Sequence, residues 1–412
     1  MQQESIDTQL KRKQNKTHLI LLRLAEALHQ YGTPAHRLEQ AITNIAKGLK
    51  TSVHVFSMPT GLFMSFQEKE GQETHLLRGP GGELHLEKQC DIDELADDLI
   101  KEEVSPEQAH SLLDTIQNRP ARYPSWLAIL AFAVTAAAVA RFFGGGWMEL
   151  AVSGIGGLLC GFTAVIPGSH PDIGKLVPAI SSFVVALWVA VAAFTLGPLA
   201  KSICHISSVI ILVPGFSITV AMTELSTQHL VSGTARLAGS IAVLFQIGFG
   251  LALGAFFGEQ LFGALPSQVS GSLSGWTFWV GLFLASSSFL VLFQARPKDL
   301  IWMVVAGVIA MKASSLGVDA MGPTLGPFLG ALVVGLSSNL FARVFQRPAS
   351  LLMVPGMILL VPGSIGVNSI SAMMNHNTLA GLNAAFTMLM VAVSLVSGIL
   401  VAALLLPPRR SL

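Results

Sequence analysis

Two Leu-Val-Pro-Gly tetrapeptides, 212–215 and 360–363, lie deep inside apolar stretches of the chain. Proline removes a backbone donor and clashes with the preceding turn, while glycine adds freedom, so each tetrapeptide predicts a broken helix. A break in apolar surroundings frees carbonyls and exposes the positive end of the following half-helix. Those groups suit the carboxylate and ammonium of a zwitterion. A plain packing kink is the alternative, but recurrence of the break favours binding. The candidate substrate-binding residues are therefore Pro214, Gly215, Pro362 and Gly363, with Ser217, Thr219, Ser364, Asn368 and Ser369 supplying hydroxyl and amide groups. Pro355-Gly356 predicts a further break. Changing either Pro-Gly pair to Ala-Ala is expected to leave folding intact and to abolish binding.

Ionisable residues in or beside apolar stretches are costly, and hence candidates for coupling or gating. Glu149 and Asp299 begin two such stretches at equivalent positions, where favouring the helix dipole is the simpler role. Glu224 follows Pro214 by ten residues and can pair with Arg236. Lys312 lies deeper, with Asp319 as a partner, and a buried lysine changes protonation readily. Asn339 suits a helix–helix hydrogen bond as well as a ligand. His54, His75 and His85 could gather around a metal, but strand positions explain them as well, and no metal or other cofactor is expected. Cys90, Cys160 and Cys204 are odd in number and lack metal-ligand spacing. No G-x-x-x-x-G-K-[ST] loop exists, so transport would run on ion or substrate gradients.

The elements that must position these groups follow from composition. Of 412 residues, 52% are hydrophobic and 12% charged, with mean hydropathy +0.62, far from a soluble domain's quarter charged. Residues 1–123 carry net −4 and residues 124–412 net +5. The small net charge and lack of a basic patch argue against nucleic acid. In the first part, helical periodicity covers 17–31 and 34–49. Alternation then predicts a hairpin, 52–58 and 61–66, about Pro59-Thr60-Gly61, and a third strand near 75–77. Helices follow at 91–102, whose acidic stretch reads as a solvated face, and at 105–117. This is a small α+β domain, docking or regulatory in role. No apolar run precedes Pro124, so no cleavable leader is expected.

Ten apolar segments, each near the roughly 20 residues a spanning helix needs, occupy the rest. Five lie in 124–257 and five in 274–406, about a polar connection at 258–273 and before a tail at 407–412. The halves match at an offset of 148–150 residues: Gly157 falls on Gly307, Pro178 on Pro327, and the two Leu-Val-Pro-Gly tetrapeptides on each other. A repeat with an odd number of spans must be inverted in its second copy, an architecture recurrent in secondary transporters. The expected fold is a multi-pass α-helical membrane protein of two inverted five-helix repeats. Arg119, Arg122, Lys175, Arg296, Lys298, Arg343, Arg347, Arg409 and Arg410 fall on one side, against Arg141 and Lys201 on the other. That bias puts both termini in the cytoplasm.

The segments YGTPAHRLEQAITNIAKGL (31–49), GGGWMEL (144–150), VIILVPGFSITVAMTELSTQHLVSGTARLAG (209–239) and RPASLLMVPGMILLVPGS (347–364) resemble the threonine/serine exporter family in its fused form. The resemblance spans nearly all of 17–406. It implies export of threonine and serine across the inner membrane on the proton-motive force, with the substrate, protons and the bilayer as partners and a homo-oligomer left open. Where relatives commonly read Asn, Arg and Asp, this chain has Val220, Thr223 and Glu224, and His229 replaces a frequent acid. Two-component relatives are associated with succinate, so a dicarboxylate exporter is the second reading. A membrane-anchored hydrolase or ligand sensor acting through the N-terminal domain is a third.

Overall fold

A computed structural model of the chain describes residues 2–407 except 69–70, 80, 83, 166–173, 265, 269–270 and 375–376; of 2–15 and 68 it describes the backbone alone. The N-terminal domain runs α1 (Gln2–Gln30), α2 (Ala35–Gly48), β1 (Val53–Met58), β2 (Gly61–Glu68), β3 (Gly71–Arg78), α3 (Leu86–Ile100), α4 (Pro106–Asn118). The strands form one antiparallel sheet in chain order, and Met58 pairs with Gly61 across the tight turn. Alternate residues Leu62, Met64 and Phe66 face inward. They pack with Leu21, Leu24 and Leu28 of α1, Leu38 and Ile42 of α2 and Ile92 and Leu99 of α3. Ser105 and Gln108 close a capping box at the start of α4.

Helix α3 starts at Leu86, five residues before the expected Asp91, because its first turn is a docking surface. His85 caps it, accepting from the Lys88 amide at 3.3 Å. The Leu86 and Glu87 amides donate to the carbonyls of Phe293 and Gln294 at 2.9 and 3.2 Å. Leu86 and Cys90 share a core with Met303, Phe341, Leu351 and Val354 of the membrane part. The acidic stretch is thus not simply a solvated face: Glu87 takes Arg122, and Asp91 takes Arg119 and Arg296. The hydrogen bond from Arg122 holds the Glu87 carboxyl below the usual carboxylate range. A depressed carboxylate stabilises the docked state above its unfolded value and loses that contribution as pH falls through the folded one. Protease nicking of the 119–124 connection should therefore rise as pH drops below about 4. Glu87→Gln should show raised nicking already at neutral pH and flatten this acid-induced rise; an equally pH-dependent Glu87→Gln would refute the assignment.

Among the described residues, the regular structure of the second part is all helical: α5 (Ser125–Phe142), α6 (Trp147–Val165), α7 (Val177–Leu196), α8 (Lys201–Val209), α9 (Gly215–Ser226), α10 (Leu230–Phe262), α11 (Trp276–Leu292), α12 (Leu300–Phe345), α13 (Ser350–Leu360), α14 (Gly363–Met374) and α15 (Thr378–Leu405). Among the described residues, seven segments are long and apolar enough to cross a membrane, so the chain is a multi-pass helical membrane protein. Helix α12 is two arms. Gly322 takes φ 81°, and beyond it a Cβ on Gly330 would lie 3.0 Å from Ser314 Cβ. Sixteen residues of straight helix would separate these by about 24 Å, so the chain doubles back at Gly322.

The expected break at Pro355-Gly356 does not occur. Helix α13 runs through Pro355, because one lost hydrogen bond in an eleven-residue helix is offset by packing. Gly356 lets α13 approach α12, a Cβ there lying 2.9 Å from Val334 Cγ1.

Close approaches at glycines recur between the halves. Gly157 packs on Phe132 and Ala136, and Gly307 on Leu282 and Ser286, each 150 residues on. Gly233 packs on Ala221 and Leu225, and Gly381 on Ser369 and Met373, each 148 on.

Candidate functional site

The two Pro-Gly breaks meet. Between α8 and α9 the chain turns through 210–214, with the Gly215 amide donating to the Val213 carbonyl at 2.8 Å. Between α13 and α14 only Val361 and Pro362 intervene, Val361 extended at φ −67°, ψ 137°. A Cβ on Gly215 would press on Val361 and lie 3.0 Å from Gly363 Cα; one on Gly363 would lie 2.8 Å from Val213 Cγ1 and 3.3 Å from Gly215 Cα. Glycine is needed at both positions because two main chains touch there. The Ala-Ala exchange expected to fold normally would instead drive one main chain into the other.

The predicted binding residues divide among several spaces around this crossing. Gly215, Gly363 and Ser364 line a largely apolar cavity of about 400 Å³ with Phe216 and Met311. Ser217 lines a cavity of about 860 Å³ that opens beneath the N-terminal domain and includes Leu212, Arg236 and His29. Thr219 is buried on the same side, and its hydroxyl donates to the Gly215 carbonyl at 3.3 Å. Asn368 lies across the crossing from them, in a cavity of about 300 Å³ of mixed lining that includes Lys201, His205 and Ser371. The buried Ser369 hydroxyl donates to the Gly381 carbonyl at 2.6 Å, so it fastens α14 to α15.

Glu224, fully buried at the end of α9, is the most heavily bonded candidate. Its oxygens accept from Arg236 Nε and Nη2 at 3.1 and 3.3 Å and from Ser232 Oγ at 2.9 Å. They also accept at 3.0 Å from the Ala35 amide, the first residue of α2. The N-terminal domain therefore reaches the paired charges of the membrane part with its own backbone. Nearby, His229 Nε2 stands 3.2 Å from Glu39, and Arg37 reaches Met353 Sδ at 2.7 Å. Buried Gln89 of α3 donates to the Tyr31 carbonyl at 2.7 Å and holds this loop. Burial pushes the His36 imidazole down to about 3, with Arg37, His229 and Arg236 adding to the effect, so it is neutral at physiological pH. The sequence reading missed this loop: Gly32-Thr33-Pro34 is an ordinary interhelical turn signal, and nothing local tells that it is buried elsewhere.

The other ionisable candidates are not at the crossing. Glu149 is buried and accepts from the Gly146 amide at 2.9 Å and the Ala200 amide at 3.1 Å, tying the starts of α6 and α8 together. Asp299 pairs with Arg347 at 2.7 Å and so ties the starts of α12 and α13. Lys312 lies over the Trp279 ring at 4.8 Å on an exposed helix face, and among the described residues no ion pair joins it to Asp319. Asn339 donates to the Leu406 carbonyl at 2.7 Å. His54 sits opposite Ser65 and His75 opposite Met64 on the sheet, and His85 caps α3, so the three histidines are not gathered. Among the described residues, no cluster of three metal-ligating side chains is present.

A multi-pass helical membrane protein in which two broken helices cross at their breaks, with a small domain seated over one side, has the architecture of a solute transporter. The family described as "Putative threonine/serine exporter" matches residues 19–258, and that described as "Threonine/Serine exporter, ThrE" matches residues 279–405. The chain belongs to the threonine/serine exporter family. Among its relatives are proteins called pheromone-regulated membrane protein 10. The one from Eremothecium gossypii is 28% identical over 389 residues, covering 89% of this chain and 51% of the relative. That from Candida albicans is 26% identical, covering 94% and 38%; that from Saccharomyces cerevisiae is 26% identical, covering 90% and 49%. The chain thus spans about half or less of these relatives' length. No solved structure matches it.

Proposed function

We propose that the protein is a secondary exporter of small zwitterionic amino acids, threonine and serine among them, coupled to the proton-motive force through the Glu224–Arg236 pair. Ten crossings form two inverted five-helix repeats, with both termini and the N-terminal domain on the cytoplasmic side of the inner membrane. The observation that carries this reading is reciprocity at the breaks. Gly215 contacts Val361 and Gly363 contacts Val213, each partner displaced by 148 residues. A contact that returns when its two members are exchanged is the mark of a two-fold axis. Two-fold related halves of five spans can be related only by an axis in the membrane plane, and rocking one half against the other then alternates access to the crossing.

The charge arrangement supports a zwitterion over a dicarboxylate. Arg236 is committed to Glu224, and Lys312 lies over the Trp279 ring on an exposed helix face, so neither is a free cation at the breaks. Inverted vesicles energised by an acid interior should accumulate labelled threonine, and the accumulation should collapse with a protonophore. Accumulation of succinate in place of threonine would establish the dicarboxylate reading; accumulation of neither would refute export.

A further inference from the structure

The Asn368 cavity across the crossing has a counterpart on the side of the N-terminal domain. Its wall includes Ser202, His205 and Ile206 of α8 and Val367, Asn368 and Ser371 of α14. Displaced by 148 residues, these six positions become Ser350, Met353, Val354, Thr219, Val220 and Thr223. All six line one pocket between α9 and α13. The first cavity holds about 300 Å³ and the second only about 70 Å³. The remaining wall of the small pocket includes Thr33, Pro34, His36 and Arg37 of the N-terminal domain.

We propose that the pocket of Thr219, Thr223 and Ser350, beside Glu224, is the entry site for a small zwitterion, and that the chain's own Gly32–Arg37 segment fills it in this structure. The inference rests on the exporter reading and deepens it. The chemistry of the occupant is that of the substrate class. The Ala35 N–H donates to a Glu224 oxygen at 3.0 Å, where an α-ammonium would donate. The Thr219 and Thr223 hydroxyls donate to the carbonyls four residues back, at 3.3 and 2.9 Å, leaving their oxygens to accept from a ligand. Thr33, Ala35 and His36 carry no net charge here, and the Arg37 guanidinium is turned to Met353 Sδ on the pocket wall. The segment is thus a tethered competitor at high effective concentration, and substrate enters by displacing it.

Ala35→Pro tests this in the full chain. Pro34 already has φ −60°, ψ 149°, the extended conformation a following proline requires. Ala35 is the first helical residue, where proline is tolerated, so the exchange deletes the donor to Glu224 and spares the helix. A reporter cysteine, Thr223→Cys or alternatively Ser350→Cys, is labelled by a permeant maleimide; the three native cysteines are buried. Ala35→Pro should speed labelling about tenfold, the equilibrium worth of one hydrogen bond to a charged group, and millimolar L-threonine should slow it again. Gln89→Ala, which releases the loop from α3 at the pocket's own wall, should speed labelling likewise. If neither variant speeds labelling, the segment is not the occupant and the proposal fails. If labelling speeds but threonine never protects, while the parent chain still accumulates threonine in vesicles, the site assignment fails and the exporter reading stands.

Discussion

Gly215→Ala should destabilise the protein although it adds a single methyl. The new Cβ would press on Val361 and stand 3.0 Å from Gly363 Cα and 3.1 Å from Gly363 N. A side chain can rotate away, but a backbone atom on the opposing break cannot move without shifting α14. Overpacking of this kind costs about 1–3 kcal/mol. Gly363→Ala should cost less, since its backbone contacts are 3.3 and 3.5 Å. Gly239→Ala on α10, where nothing lies within 4 Å, should be neutral or stabilising by up to about 1 kcal/mol, the helix-propensity difference. The melting temperatures in detergent should therefore rank Gly239→Ala above Gly363→Ala above Gly215→Ala. Val361→Ala should rescue Gly215→Ala only in part, because the contact with the Gly363 backbone remains. Equal melting temperatures across the three would mean that the breaks do not touch, and the two-fold argument would lose its foundation.

What the sequence made legible and what it hid divide along a physical line. Local periodicity located the helix pairs and the hairpin of the N-terminal domain, because alternation at 52–58 and 61–66 and the tight turn between them are determined by neighbours in the chain. The two breaks and their common register were legible in the tetrapeptide repeat; that they touch was not. Contacts between distant segments left no local trace. The first half of α1 is polar and has no apolar stripe to announce it. Leu86 and Cys90 look like the loose end of a soluble helix until Phe293 and Met303 are placed beside them. Glu149 and Asp299 read as charges at helix starts; that each also ties down the start of a broken helix depends on residues some fifty positions away. Pro355 illustrates the reverse error. A local helix breaker was overridden because tertiary packing holds the helix on both sides of it.

Glu224→Gln should abolish export while leaving a protein that can be rescued in fold but not in function. Both carboxylate oxygens now accept, one from Ala35 and Arg236, the other from Ser232 and Arg236. A glutamine keeps the shape but turns one acceptor into a donor that faces the guanidinium, so at least one buried donor is stranded. Breaking a buried pair by removing one partner costs about 3–5 kcal/mol; Arg236 is 27% exposed, which puts this pair at or below the lower end. The single variant should thus lose melting temperature and transport together, and that result alone would not distinguish a structural ion pair from a working carboxylate. The double variant Glu224→Gln, Arg236→Met makes the distinction. Replacing both members of a buried pair is far less costly than removing one, since the amide oxygen still accepts from Ala35 and its NH₂ can turn to Ser232. Stability should return in the double variant. If Glu224 receives the substrate's ammonium or carries the coupled proton, threonine accumulation in energised vesicles should stay at background despite the recovered fold. Export that returned along with the melting temperature would reduce Glu224 to an anchor for the N-terminal domain and move the search for the coupling group elsewhere.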